Sequence, residues 1–416
     1  MKNIFDKKLA STTLSFFFLQ GLNYIFPLLL IPLLTLRLGL NSYGTIVFHQ
    51  VICAQLLIFA EWGFLWSSTR EISSNIEDKN LIARVFTLSF IAQLILSVLG
   101  SVAVCLYLLL FDAVNIKFGL YYALMLGGNI LYVQWLFQGA ENMRYFIFSQ
   151  VTSKIITLTL IFIFVDGPGD AFRCLIFFGL SHMICGSLAY YFSRKMELHT
   201  GFVKCGLSDI FRFMDKSKSL FFVRIVSSVS ANSPILFLGL MSSSDSVALF
   251  SLADKVRLAG QSILSPLMQA LSIRMNLRFK TSFEDAMKEF SILLKFTIIS
   301  SSLLSILVFL FSGKIINLFG GVNFQEAEII LKILSPLITL VSVSNVIGGQ
   351  FLIPCGQYDS YSRVMIYSAV ISTPLISIFI FYFNSMGAAF GIMCAEILVL
   401  VMLFLLLKNN KRSYVL

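Results

Sequence analysis

The stretch YIFPLLLIPLLTLRLGLNSYG, residues 24–44, decides the class of this chain. It is apolar enough to sit in lipid, yet it holds Pro27 and Pro32 and closes on Arg37 and a tight loop over 39–44. A proline removes a backbone donor and bends a helix. In a membrane the freed carbonyls are tolerated where neighbouring helices or a water-filled cavity satisfy them. The stretch therefore predicts a transmembrane helix that bends beside an internal cavity.

The rest of the chain repeats the apolar part of this pattern. Of 416 residues 57% are hydrophobic and 12% charged, with a mean hydropathy of +0.87. A soluble domain carries about 25% charged residues. The apolar residues fall in blocks of roughly 20, the length that spans a bilayer. Such blocks lie near 13–36, 45–67, 84–110, 118–138, 146–165, 171–193, 219–240, 247–271, 289–311, 328–350, 362–383 and 386–407. They lack the short alternating segments of a β-barrel. No small-residue cleavage site follows the first block, so it reads as a retained helix. The expected fold is an all-α polytopic membrane protein of about twelve transmembrane helices.

A long loop over 194–218 divides the chain into an N-terminal six-helix part (1–193), a cytoplasmic linker (194–218) and a C-terminal six-helix part (219–416). An even number of helices in each half permits parallel repeats about an axis along the membrane normal. LGLNSYGTIVFHQV (38–51) echoes MSSSDSVALFSLADKV (241–256), and the helices before them carry Pro27 and Pro234 at similar offsets.

The net charge of +10 invites a nucleic-acid partner, but its distribution rejects one. Segments on one side hold most of the basic residues: Lys2, Lys7 and Lys8, Arg70, Lys79 and Arg84, the cluster from Arg194 to Lys218, and Lys408, Lys411 and Arg412. That is the positive-inside bias, and it sets both termini in the cytoplasm. Lys154, Arg224, Lys255, Arg257 and Lys295 instead fall within the spans.

Polar stripes accompany these cations. Asp254, Arg257, Gln261 and Ser265 are spaced i, i+3, i+7, i+11 and share a helix face, with Lys255 and Ser262 beside it. Arg224, Ser227 and Ser228 share another face, with Asn232 and Pro234 at its edges. Lipid rejects such faces, so they turn inward. Lys154 and Lys255 sit about nine residues into their helices, roughly 13 Å deep, and Arg257 slightly deeper. Arg224 and Lys295 are close enough to an end to snorkel. Asp254 can pair with Arg257 one turn on, and Glu396 is either a distant counter-charge or a proton carrier. Because an unpartnered charge is prohibitive in apolar surroundings, this mostly cationic interior points to an anionic passenger.

Nothing in the sequence calls for a cofactor or an enzyme. There is no Gly-rich phosphate loop, no H-E-x-x-H and no Ser/His/Asp pattern. The seven cysteines show no metal spacing, and His49, His182 and His199 are scattered.

FPLLLIPLLTLRLGLNSYG (26–44), EWGFLWSSTREIS (61–73), QWLFQGAENMRYF (134–146) with Lys154 after it, and LFSLADKVRLAGQSILSPLMQALSIRM (249–275) resemble the Wzx-type O-antigen flippases. These belong to the multidrug/oligosaccharidyl-lipid/polysaccharide exporter superfamily. One departure is ALSIRM, which lacks the proline expected before the basic residue. The resemblance implies two six-helix bundles in a V around a central cavity, in a bacterial inner membrane. It implies translocation of undecaprenyl-pyrophosphate-linked sugar repeat units from the cytoplasmic to the periplasmic leaflet, ion-coupled by analogy, alongside the polymerase and chain-length regulator of the same pathway. Lys154, Lys255, Arg257, Arg224 and Arg37 are then the substrate-binding candidates. Asp254, Glu396 and Glu61 are coupling or counter-charge candidates, and Pro27, Pro32 and Pro234 belong to gating helices.

Three other readings compete. A multidrug exporter has the same fold but should carry dominant mid-membrane carboxylates. A membrane polymerase or glycosyltransferase needs an outward catalytic loop, and 312–327 offers only Lys314 and Glu326 as charges. A scaffold needs no mid-depth cations.

Overall fold

The computed structural model describes residues 2–111, 113–198, 201–263, 275, 278–279 and 281–413. Among these there are helices and no strands. The first half comprises α1 (Lys2–Glu61), α2 (Phe64–Ser74), α3 (Lys79–Phe111), α4 (Gly119–Leu131), α5 (Gln134–Gly139), α6 (Met143–Phe164) and α7 (Ala171–Lys195). The second comprises α8 (Leu207–Met241), α9 (Ser244–Ser262), α10 (Phe283–Leu310), α11 (Ser312–Gly320), α12 (Ala327–Leu334), α13 (Leu337–Ile347) and α14 (Tyr358–Ser413).

Three helices explain how so apolar a chain packs. On α3, Ser89, Gln93 and Ser97 recur every fourth residue and are buried, whereas Leu94, Val98, Val102, Leu106 and Leu110 are exposed. On α6 the buried line is Ser149, Ser153 and Thr157, and on α10 it is Thr297, Ser301 and Ser305. On α6, and at Thr297 and Ser301 of α10, the hydroxyls return to the backbone one turn back, as in Thr157 to Ser153 O at 2.8 Å and Thr297 to Leu293 O at 2.8 Å, whereas Ser305 donates to the Ser335 carbonyl at 2.9 Å. A soluble helix does the reverse and buries its apolar stripe. Small polar residues inside and bulky apolar residues outside suit a hydrocarbon solvent, where close helix approach and not hydrophobicity holds the bundle.

Nine helical segments among the described residues are long and apolar enough to cross a membrane. Two of them, Phe26–Ser74 and Tyr358–Lys408, run to 49 and 51 residues, more than twice what one crossing needs. The chain is a multi-pass membrane protein. Both long segments contain a break. In α1 the backbone leaves helical conformation at Gly39 (φ 74°), and in α14 at Asn384 (φ 48°), between the blocks expected at 362–383 and 386–407. The loop expected over 39–44 is thus a one-residue break, after which the chain is helical again. Helix α8 starts at Leu207, twelve residues before its apolar block, with Asp209 in its first turn where the helix dipole favours a carboxylate. Ser265, His199, Arg274 and Lys280 lie outside the described residues.

The chain forms two compact units. The first comprises residues up to Leu30 and His49–Val229; the second comprises Ile31–Phe48 and Ser230 onward. The first is centred on Phe64, Phe86, Trp135, Phe137 and Phe146, the second on Phe290, Val346, Ile347, Phe351 and Leu403. The division on α1 falls between Leu30 and Ile31, and therefore between Pro27 and Pro32. In the second unit the break at Gly39 leads to a close approach. A Cβ on Gly44 would lie 1.8 Å from the Ser244 carbonyl oxygen, so only glycine lets α1 meet the start of α9. Thr35 fixes the same region by donating to the Phe319 carbonyl at 2.5 Å.

Candidate functional site: a polar cavity in the first unit

On α6, Gln150, Ser153 and Lys154 sit at i, i+3 and i+4, so they share one face. On α7, Ser181, His182 and Cys185, at i, i+1 and i+4, likewise lie on one side. These two faces, with parts of α1 and α4, line a partly open cavity of about 280 Å³. Among the described residues Lys154 is the one lysine or arginine that lines it. The ammonium lies over the Phe26 ring, 5.2 Å from its centroid.

The cavity wall is ordered by a chain of polar contacts. Gln150 Nε2 donates to the Tyr132 hydroxyl at 2.5 Å. Tyr132 stacks on the His182 ring at 4.8 Å and 25°. Ser181 Oγ donates to the Ser153 carbonyl at 3.2 Å, tying α7 to α6. The Gln150 Oε1 and His182 Nε2 atoms are buried with no hydrogen-bond partner among the described residues. A buried polar atom without a partner costs about 1–3 kcal/mol, a cost that a polar guest would relieve. The wall combines aromatic faces, amides, hydroxyls and one ammonium, a set that suits hydroxylated and anionic groups.

The other expected residues divide into pairs. Glu61, at the C-terminal end of α1, makes an ion pair with Arg224 on α8, with 18% and 25% of their side chains exposed. The pair is buttressed by Trp62, which stacks on Phe221 at 4.1 Å and donates to the Met214 carbonyl at 3.0 Å. In the second unit Arg257 binds Asp254 through Nη2 at 2.7 Å and Nε at 2.8 Å, and donates from Nη1 to Gln261 Oε1 at 2.8 Å. Glu396 is half-buried on α14. Lys255 donates to the Tyr43 hydroxyl at 3.0 Å. Arg37 is half-buried on α1. Pro27 belongs to the first unit and Pro32 to the second, and Pro234 lies inside α8 just past the division at Val229.

The structure therefore brings together Asp254 with Arg257, Lys255 with Tyr43, and Glu61 with Arg224. Lys154 belongs to the first unit, Lys255 and Arg257 to the second. Sequence reasoning found Lys154 but missed Gln150, Tyr132 and His182. The i, i+4 recurrence of Gln150 and Lys154 was a legible signal. His182 alone carried none, because its role depends on Tyr132, fifty residues earlier.

The model of the polysaccharide biosynthesis protein family matches residues 9–273, well over half of the chain. The chain belongs to that family. A relative from Escherichia coli (strain K12), named "Putative O-antigen transporter", is 27% identical over 401 residues, covering 94% of this chain and 95% of its own. One of the same name from Shigella dysenteriae is 25% identical over 392 residues, covering 94% and 97%. Among solved structures, the lipid II flippase MurJ in an inward closed conformation superposes with a TM-score of 0.74 at 12% identity, over 96% of this chain and 87% of that one. An inward-facing multidrug resistance MATE transporter of the MOP superfamily gives 0.72 at 15%, over 93% and 94%. At such identities the structural likeness speaks to the fold alone, which this chain shares with these two transporters. The two readings made from sequence, a polytopic helical fold and membership of a polysaccharide-exporting family, both hold.

Proposed function

We propose that this chain is a flippase that moves undecaprenyl-pyrophosphate-linked repeat units of O-antigen, or of a related polysaccharide, from the cytoplasmic to the periplasmic leaflet of a bacterial inner membrane. The observation that carries the reading is the cavity of the first unit, in a chain of the polysaccharide biosynthesis protein family. It has one ammonium, two amides, several hydroxyls and aromatic faces, all inside helices whose outer surfaces are apolar. Sugars offer hydroxyls and apolar ring faces, and a pyrophosphate offers negative charge. A polyprenyl tail needs no protein cavity, because lipid is as apolar as its own carbons.

Twelve crossings follow if both broken helices cross twice and α9 crosses once. Alternating access between inward and outward states then carries the head group, with the prolines of α1 at the bend. In this reading the pathway's polymerase and chain-length regulator act on its product. Within the second unit the cationic character is smaller than the sequence suggested. Arg257 is offset by Asp254, which leaves Lys154 and Lys255 as the cations that meet the passenger.

The multidrug alternative draws on the MATE-like fold and requires dominant mid-membrane carboxylates, but of its two candidates, Asp254 and Glu396, Asp254 is engaged by Arg257. The test is deletion of the gene followed by lipid extraction. Accumulation of lipid-linked single repeat units with loss of surface polymer supports the flippase. Unchanged glycan with raised drug sensitivity supports the exporter and ends this reading.

A further inference from the structure

We propose that the contact between Lys154 and Phe26 is a ligand-responsive catch on the first helix, and that Phe26 is a positioning residue that sets how readily the cavity accepts an anionic group. The inference rests on the functional reading above and names a second residue for the same site.

Both side chains line the one cavity, and the ammonium lies 5.2 Å from the ring centroid. A ring face and an anionic oxygen compete for the same ammonium. The ring offers only its quadrupole, whereas the oxygen forms a charge-assisted hydrogen bond, among the strongest contacts a protein makes. At about 280 Å³ the cavity is at the lower limit of ligand pockets, so it admits one group and not a whole oligosaccharide. An anionic group entering it meets Lys154 and draws it off Phe26.

Phe26 is well placed to report that loss. It directly precedes Pro27, and the chain passes from the first unit to the second four residues later, between Leu30 and Ile31. Neither Pro27 nor Pro32 has an amide hydrogen, so the turns on both sides of that division lack a backbone bond. A helix bends at such places at little cost. Lys154 on the Phe26 ring therefore holds the turn that precedes these two prolines against α6, and an anion in the cavity lets it go.

This makes an unusual demand on one substitution. Phe26→Leu keeps an apolar side chain but removes the ring face. Without the competing contact, Lys154 should bind an anion more tightly, while transport, which uses the release, should fall. A contact that competes with the ligand lowers apparent affinity by its own equilibrium constant. The expected tightening is roughly 2- to 30-fold, the range of cation–π contacts from exposed to desolvated sites.

The test uses purified full-length protein in detergent, titrated calorimetrically with inorganic pyrophosphate at fixed ionic strength. Phe26→Leu should bind more tightly than wild type within that range, Phe26→Trp no more tightly than wild type, and Lys154→Met should lose the site. In a deletion strain at equal abundance, Phe26→Leu should restore less surface polymer than Phe26→Trp. A merely structural Phe26 would depress binding and transport together. Unchanged or weaker pyrophosphate binding by Phe26→Leu overturns the proposal, as does full polymer restored by that variant. Failure of the functional reading shows itself elsewhere: a deletion strain that accumulates no lipid-linked repeat unit overturns that reading without altering the titration.

Discussion

Arg257 is the cation whose expected role the geometry changes most, and removing it makes a quantitative prediction. Its guanidinium makes two contacts with Asp254 Oδ1, at 2.7 and 2.8 Å, and a third with Gln261 at 2.8 Å. The side chains of Arg257 and Asp254 are 10% and 17% exposed, so solvent does little to screen them. At an effective dielectric of about 20, charges at this separation attract by about 6 kcal/mol. Desolvation offsets much of that, and the measured cost of removing one partner from a buried pair is about 3–5 kcal/mol. This corresponds to roughly a hundredfold or more in the ratio of folded to unfolded chain. The two single changes are not equivalent. Asp254→Asn leaves the guanidinium hydrogen-bonded to Gln261. Arg257→Gln strands a carboxylate whose charge had one partner. The double change leaves no buried charge unpaired and should lie within about 1 kcal/mol of wild type. Thermal unfolding of the purified chain, followed by size-exclusion chromatography, should rank wild type and the double variant together, then Asp254→Asn, then Arg257→Gln. If the double variant melts with the worse single variant, Arg257 serves something other than Asp254 and the reasoning fails.

Gly44→Ala puts a Cβ 1.8 Å from the Ser244 carbonyl oxygen and should sharply reduce the folded protein recovered from membranes, measured by immunoblot. Normal abundance would show that α1 and α9 can part locally. Pro27→Ala or Pro32→Ala restores a backbone donor and should lower transport with normal insertion; wild-type surface polymer from the double alanine variant would make the prolines ordinary membrane usage. Glu61→Gln and Arg224→Gln should each lower the melting temperature, and the exchange Glu61→Arg with Arg224→Glu should recover part of the loss. Equal destabilisation by the exchange and by the singles would deny the pair.

Much of the fold was legible because lipid imposes length. The blocks expected at 84–110, 146–165 and 171–193 correspond to α3, α6 and α7 within a few residues, since each is one uninterrupted apolar run. The block at 247–271 was legible as a helix but does not meet the apolar criterion. Asp245, Asp254, Lys255 and Arg257 crowd Ser244–Ser262 with charge, the last three of them partnered by one another, Gln261 or Tyr43. Local pairing was also readable, as with Asp254 and Arg257 one turn apart. Distant pairing was not. Lys255 finds Tyr43 212 residues away, and Arg224 finds Glu61 across most of the first unit, with no periodicity to announce either. The break at Gly39 was legible as the tight loop expected over 39–44; its confinement to one residue was not, because a single glycine with a left-handed backbone is enough to turn the chain there.

The central claim is that Lys154 in the polar cavity carries the anionic head group across the membrane. It is tested most directly by reconstituting the purified protein into vesicles with a lipid-linked oligosaccharide. Exposure of the sugar on the far leaflet is then followed by an impermeant glycosidase. Wild-type protein should expose it well above the rate of protein-free vesicles, and Lys154→Met, at equal incorporation, should fall to that background. Exposure by Lys154→Met at the wild-type rate would contradict the account.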